Sequence, residues 1–138
     1  MTRERYRFVA VLISLIGQIV GGVLVFGFAP HLVFADIGGN DLARLCLQLA
    51  AYSNAGMALV IALVLFSAPE PRWLRWLAAG GALYQILAGQ NALRTALGLT
   101  GVTLVEPVFA PAIFHSVMFL VLLTAALIPE QRSARVQL

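Results

Sequence analysis

The chain has no lysine and one cysteine, and its long apolar stretches contain no aspartate or glutamate. Each absence removes a class of chemistry. With Cys46 alone, neither an intrachain disulfide nor a Cys-x-x-Cys redox pair can form. Without acids inside the apolar stretches there is no carboxylate relay for a proton-coupled transporter. There is also no buried carboxylate pair for acid–base work. The two histidines, His31 and His115, with acids near the stretch ends, do not make a metal set. A bis-histidine haem would need both, and His31 falls at or beyond the end of the first stretch. No Ser-His-Asp arrangement supports nucleophilic catalysis. The residues point to no metal and no cofactor.

Charge is scarce as well. Only 11% of residues are charged, 61% are apolar, and the mean hydropathy is +0.92. A soluble domain is roughly 45–50% apolar and about 25% charged. The pI near 9.8 raises nucleic acid as a partner. The nine arginines do not fit that reading, because they cluster at the ends of apolar stretches rather than on one soluble face.

What is present is a set of four charge-free apolar stretches: Phe8 to Ala29, Leu45 to Ala68, Trp76 to Leu93 and Val108 to Ile128. An α-helix needs about 20 apolar residues to cross a ~30 Å hydrocarbon core. The spacing predicts helices over about 8–29, 42–68, 73–98 and 108–128, in a single transmembrane domain spanning 1–138. The breakers agree. Pro30 and Gly38-Gly39-Asn40-Asp41 separate helices 1 and 2, with Asp41 as an N-cap. Pro69-Glu70-Pro71 separates helices 2 and 3. Thr100-Gly101 stops helix 3, and Glu106-Pro107 opens helix 4. Short connections make sequential helices antiparallel, so the expected fold is an all-α, integral membrane, up-down-up-down four-helix bundle. The residues from Arg132 onward read as a frayed tail. A cleaved signal peptide is the rival reading of the first 35 residues, but its apolar run of 22 exceeds the ~7–15 of a signal.

Arginine bias sets orientation. Arg3, Arg5, Arg7, Arg72, Arg75, Arg132 and Arg135 fall on one side. Arg44 and Arg94 fall on the other, beside Asp36, Asp41 and Glu106. Both termini are therefore expected in the cytoplasm, with the chain multi-pass in a bacterial inner membrane. Tyr6, Trp73 and Trp76 mark the inner boundary as an aromatic belt.

Small residues indicate how the helices touch. Helix 1 carries Gly17-x-x-x-Gly21 with Gly22; helix 3 carries Gly81, Gln85 and Gly89 on one ridge and Ala88, Ala92 and Ala96 on another. Such ridges let backbones approach in lipid, either within a bundle or between copies in a homo-oligomer.

Helical periodicity sorts the polar residues into faces. Helix 1 aligns Ser14, Gln18 and Gly22; helix 2 aligns Asp41, Arg44, Gln48 and Tyr52; helix 3 aligns Tyr84, Asn91 and Arg94; helix 4 carries His115. At 1.5 Å per residue, Gln48, Asn91 and His115 share a depth of roughly 10 Å below the outer surface. Polar groups avoid lipid, so these residues are expected to turn inward. The resulting expectation is a polar pocket in the outer half of the bundle. His115, Tyr52 and Tyr84 would act, Gln48, Asn91, Arg94 and Gln18 would bind ligand, and Asp41, Arg44 and Glu106 would line the mouth.

Plainer roles stand beside each of these. Arg94 can snorkel or pair with an outer acid. The tyrosines can be core aromatics. Gln48 and Asn91 can be interhelical glue, and His115 a structural partner. Ser14, Ser53, Asn54 and Ser116 read as local packing or back-bonding groups. Substitution of the pocket residues is expected to matter more than substitution of Gln85 or Ser53.

The layout resembles the small bacterial four-helix membrane proteins called DoxX-like. The shared features are the glycine-rich first helix, Arg44 before the apolar run of helix 2 with Gly56 inside it, and Asn91-x-x-Arg94 before Gly101. Those proteins often carry an acid early in helix 4, where this chain offers His115. The family is diverse and includes accessory subunits of quinone-linked oxidoreductases. The resemblance carries over no catalytic residue.

Two functions follow as expectations. The first is binding of a lipophilic small molecule of isoprenoid, quinone or sterol-like kind, with His115-assisted conversion of a cofactor-independent isomerase, cyclase or hydratase type. The second is a non-catalytic structural or assembly subunit of a larger membrane complex. The first calls for an inward polar cavity, the second for a packed interior. The expected partners are membrane lipids, a lipophilic ligand, and either a second copy or a partner membrane subunit.

Overall fold

The computed structural model describes residues 2–34, 41–67, 70–99, 104 and 109–129. Asp36, Gly38 to Asn40, Thr100-Gly101, Glu106 and the tail from Arg132 lie outside the described residues. Among the described residues the chain is all-helical, in four long helices: α1 (Arg3–Phe28), α2 (Asp41–Phe66), α3 (Pro71–Ala96) and α4 (Ala110–Leu127). A 3-10 turn at Pro30–Leu32 follows α1. An isolated antiparallel bridge pairs Phe34 with Leu104.

Three of the helices, α1, α2 and α4, are long and apolar enough to cross a membrane. Only 17–33% of their most apolar stretches is buried, so most of that apolar surface faces outward. A water-soluble monomer rarely exposes so much. Although α3 is also 26 residues long, it falls outside that set. Its charge-free stretch carries Gln85, Gln90 and Asn91, and Arg72, Arg75 and Arg94 flank that stretch.

Local chemistry sets the boundaries. Helix α1 begins at Arg3, five residues before the apolar run, because Thr2 caps it: the Thr2 hydroxyl accepts from the Arg5 N–H at 3.3 Å. Pro71 occupies the first turn of α3, where its missing N–H costs nothing. Gly98 ends α3, earlier than Thr100-Gly101. It takes φ 71°, while Gly98 N bonds Thr95 O (3.0 Å) and Leu99 N bonds Arg94 O (2.8 Å). This is a Schellman closure, in which a left-handed residue lets two N–H groups turn back onto the last carbonyls. Asp41 sits inside the first turn of α2. The middle of α1, Gln18–Val25, winds as a π-helix, which periodicity did not anticipate.

Contacts give the helix directions. Phe8 meets the Phe66 ring at 6.2 Å, Gln18 bonds Asn54, and Gly27 touches Ala51, so α2 runs antiparallel to α1. Gly81 packs on Leu122 and Gly89 on His115, so α3 and α4 are antiparallel. Arg7 reaches Ala125 while Gly17 lies under Phe114, which makes α4 antiparallel to α1. Gly17, Gly22, Gly81 and Gly89 thus serve contacts inside the molecule, whereas nothing among the described residues lies near Gly21. A Cβ on Gly17 would lie 2.5 Å from Phe114 Cζ, and one on Gly22 would lie 2.7 Å from Asn54 Cγ.

The apolar core lies toward one end of the molecule. It joins Ala10 and Leu15 of α1, Ala58 and Leu65 of α2, Ala78 and Ala82 of α3, and Leu122 and Ala125 of α4. That end is closed by arginines. The last four carbonyls of a helix lack intrahelical partners. At the end of α4, Ile128 N bonds Thr124 O, Arg7 Nε donates to Ala125 O at 3.0 Å, and Arg75 Nε donates to Ala126 O at 3.0 Å. Arg7 Nη2 also donates to Ile128 O, and Arg3 Nη1 to Pro129 O at 3.1 Å. Arg7 is 1% exposed. The positive charges also complement the negative end of the α4 dipole.

Replacing Arg7 with alanine should lower stability by about 3 kcal/mol, since it strips charged donors from buried carbonyls. Arg5→Ala, at an exposed position, should stay within about 0.5 kcal/mol. Thermal unfolding of both variants in detergent measures the difference.

Candidate functional site

The structure gathers polar side chains from all four helices into one belt, but with a membership that differs from the expected pocket. In one arm, Gln85 Nε2 donates to Ser14 Oγ at 2.9 Å, and Gln85 Oε1 meets His115 Nδ1 at 2.5 Å. In the other, Asn54 Oδ1 accepts from Tyr84 Oη at 3.1 Å and from Gln18 Nε2 at 3.3 Å. Asn54 Nδ2 donates back to Ala50 O at 2.9 Å, which holds the amide. Gln18 lies one turn beyond Ser14 on α1, and Tyr84 precedes Gln85 on α3, so the arms are adjacent. Counting 1.5 Å per residue, His115 is about 15 Å along α4 from the capped Ala125 carbonyl.

Burial makes the belt consequential. Gln85 is 1% exposed, Gln18 5% and Ser14 8%. Among the described residues, no buried side-chain nitrogen or oxygen lacks a partner. Glycines let the arms close: Gly89 sits where a Cβ would come within 3.1 Å of His115 Cβ, and Asn54 presses against Gly22 in the π-helical segment. With Gln85 Nε2 assigned as donor to Ser14, its Oε1 must accept, so His115 carries its proton on Nδ1. His115 Nε2 is then left as an acceptor, and nothing among the described residues bonds it.

Gln18, Tyr84 and His115 therefore join the belt, while Gln48, Tyr52, Asn91 and Arg94 do not. All four are exposed, Tyr52 at 70%. Asp41 and Arg44 are exposed as well, and Glu106 lies outside the described residues. The physical reason is a choice of face. α2 buries Ala51, Ala58 and Leu65 at heptad spacing, because small side chains let it approach α1. Tyr52 lies about 100° around the helix from Ala51. Asn54, on the buried flank, takes the inward polar role. On α3 the inward side is the Gly81-Gln85-Gly89 ridge, which turns Arg94 away.

Asn54 and Gln85 are the partners that the periodic reading missed, while Ser14, aligned with Gln18, reads from the sequence only as local packing. A signal was present for Gln85: an amide between two glycines on one ridge marks close approach plus a hydrogen bond. Ser116 and Thr124 do back-bond within α4, to Ala112 O at 2.8 Å and Leu120 O at 2.7 Å.

Two grooves run along the outer seam of α3 and α4. One, of about 490 Å³, reaches the belt at Gln85 and includes Gly89, Gln90, Phe109 and Ser116. The other, of about 530 Å³, begins at Arg72 and Arg75. Among the described residues, no group of three or more His, Cys, Asp or Glu is placed to hold a metal. Cys46 is exposed. No protein-family model, curated protein or solved structure matches this chain.

Gln85→Ala strands both Ser14 and His115, and should lower unfolding stability by about 2 kcal/mol. Tyr52→Ala should change it by less than about 0.5 kcal/mol. Parallel thermal melts distinguish the belt from the exposed polar face.

Proposed function

We propose that this chain is an up-down-up-down four-helix protein of the bacterial inner membrane with both termini in the cytoplasm, serving as a non-catalytic subunit of a larger membrane complex. The observation that carries the reading is an exposed polar ridge on α2. Arg44, Gln48, Tyr52 and Gly56 recur every four residues, and every one is exposed. In hydrocarbon, such side chains facing lipid are unfavourable, while facing another helix they act as glue, with Gly56 permitting close approach. The occupant proposed for this ridge is a transmembrane helix of a partner subunit with complementary polar groups.

Three further points support it. The belt side chains bond mostly to one another, and among the described residues no buried side-chain nitrogen or oxygen lacks a partner, which suits a packed interior. Five described arginines lie at the end where α1 and α3 begin, as positive-inside placement requires. The DoxX-like layout points the same way, since that family includes accessory subunits. In this reading α3, the least apolar helix, crosses in company with α4, its closest neighbour across Gly81 and Gly89.

One observation favours a second reading, a lipophilic ligand acted on by the belt: the unpartnered Nε2 of His115. Mass spectrometry of lipophilic molecules that copurify with wild type and His115→Ala tests it. A ligand present in the first and lost in the second would support it.

For the subunit reading, a photo-crosslinking side chain at position 52 should give one discrete adduct with another integral membrane protein in native membranes. The same probe at Met57, exposed and about 140° around α2 from Tyr52, should give lipid adducts only. Combining Gln48→Leu with Gly56→Leu should remove that partner from the purified protein without lowering its melting temperature. Adducts with lipid alone at position 52 would end the subunit reading.

A further inference from the structure

The groove that opens at Arg72 and Arg75 lies away from both the belt and the α2 ridge, and neither function uses it. It has a charged head and an apolar body. The head is Arg72 and Arg75 beside the exposed indole of Trp76, and the body runs over Ala79, Leu83, Phe119 and Leu123. We propose that this groove holds an anionic phospholipid of the leaflet on the arginine side. Its phosphate lies between the two guanidinium groups and one acyl chain lies along the α3–α4 seam. The inference rests on the membrane placement proposed above and is independent of the subunit role.

The arginines are prepared for such a headgroup. Arg75 is held by one bond, Nε to Ala126 O at 3.0 Å, which fixes the guanidinium plane. Its two Nη groups are bonded to nothing among the described residues. Arg72 pairs through Nε with Glu70 Oε2 at 2.7 Å, both side chains being 64% exposed. An exposed pair of this kind is worth little, and a phosphate offers the guanidinium fork more acceptor oxygens. The Arg72 guanidinium also lies 5.7 Å from the centre of the Trp73 ring, which limits its range of motion. Among the described residues no acid lines the groove, and Glu70 reaches it only through Arg72. Two cations against one carboxylate leave the groove head positive.

The body fits one leaflet. From Arg72 to Ile86, both of which line the groove, α3 rises about 21 Å. That exceeds the roughly 15 Å half-thickness of a hydrocarbon core by about the depth of a headgroup. Ala79 and Ala82 form the floor, and their small side chains create the furrow. Trp76, 70% exposed, takes the position an interfacial aromatic prefers. A basic recess between helices on the cytoplasmic side is a recognised setting for anionic headgroups.

The test uses the full chain in detergent, offered phosphatidylglycerol or phosphatidylcholine with identical acyl chains, and read by native mass spectrometry. Wild type should retain phosphatidylglycerol about tenfold over phosphatidylcholine, and inorganic phosphate should not displace it. R72Q with R75Q should bring the ratio near one. R72Q alone leaves the Arg75 bond to α4 intact, and should lie between. A79F should reduce retention of both lipids. Equal retention of the two lipids by wild type, an unchanged ratio in the double variant, or displacement by phosphate alone would overturn the site. So would a protein helix crosslinked into the groove. Carbonate extraction separates the two failures: protein released from membranes defeats the membrane placement itself, whereas retained protein without headgroup preference defeats only this site.

Discussion

The end of α4 is the constraint on which the rest of the molecule hangs. A helix that stops inside a crowded, apolar setting leaves carbonyls that need donors. Here the donors come from two other helices. Arg7 of α1 and Arg75 of α3 take Ala125 O and Ala126 O, and Arg7 and Arg3 take the carbonyls just beyond. The guanidinium group suits this task because its fork of N–H donors reaches several carbonyls at once. One consequence is register. With α4 tied to α1 and α3 at this end, Leu122 meets Gly81, His115 meets Gly89 and Phe114 meets Gly17 about one to three turns further along. A second consequence is that three arginines counted toward membrane orientation are also structural caps.

The belt is the complement of that clamp. Where the arginines satisfy backbone, Ser14, Gln18, Asn54, Tyr84, Gln85 and His115 satisfy one another. Each helix is bonded to at least one other across the interior, so sliding any helix by a residue breaks a bond as well as a packing contact. An interior closed in this way has little left with which to recognise a ligand, apart from His115 Nε2. In the proposed reading recognition moves to outward faces: the ridge on α2 and the seam between α3 and α4. The two faces differ in chemistry. The ridge carries polar groups along its length, which suits another helix, whereas the seam is apolar with cations at one end, which suits an amphiphile.

Much of the architecture could be read from residue order. Charge-free runs, their lengths and their breakers follow from the cost of exposing polar groups to hydrocarbon. That cost acts on each segment separately, so helix number and approximate extent need no tertiary information. The grouping of arginines at one end is of the same kind, since it depends on which segments are joined by which loops. Even the inward roles of Gln18, Tyr84 and His115 were visible, each being a polar residue deep in an apolar run.

Which face of each helix turns inward was a different matter. A polar side chain and a small side chain compete for the interior, and periodicity alone cannot rank them. On α2 the small residues Ala51 and Ala58 won, carrying Asn54 in with them and leaving Gln48 and Tyr52 outside. On α3 the glycines won, which buried Gln85 and exposed Asn91 and Arg94. The π-helical turn in α1 and the capping of α4 by distant arginines have no local signature either. They arise because backbone groups far apart in the chain must find partners in one shared space, and that requirement exists only once the helices are assembled.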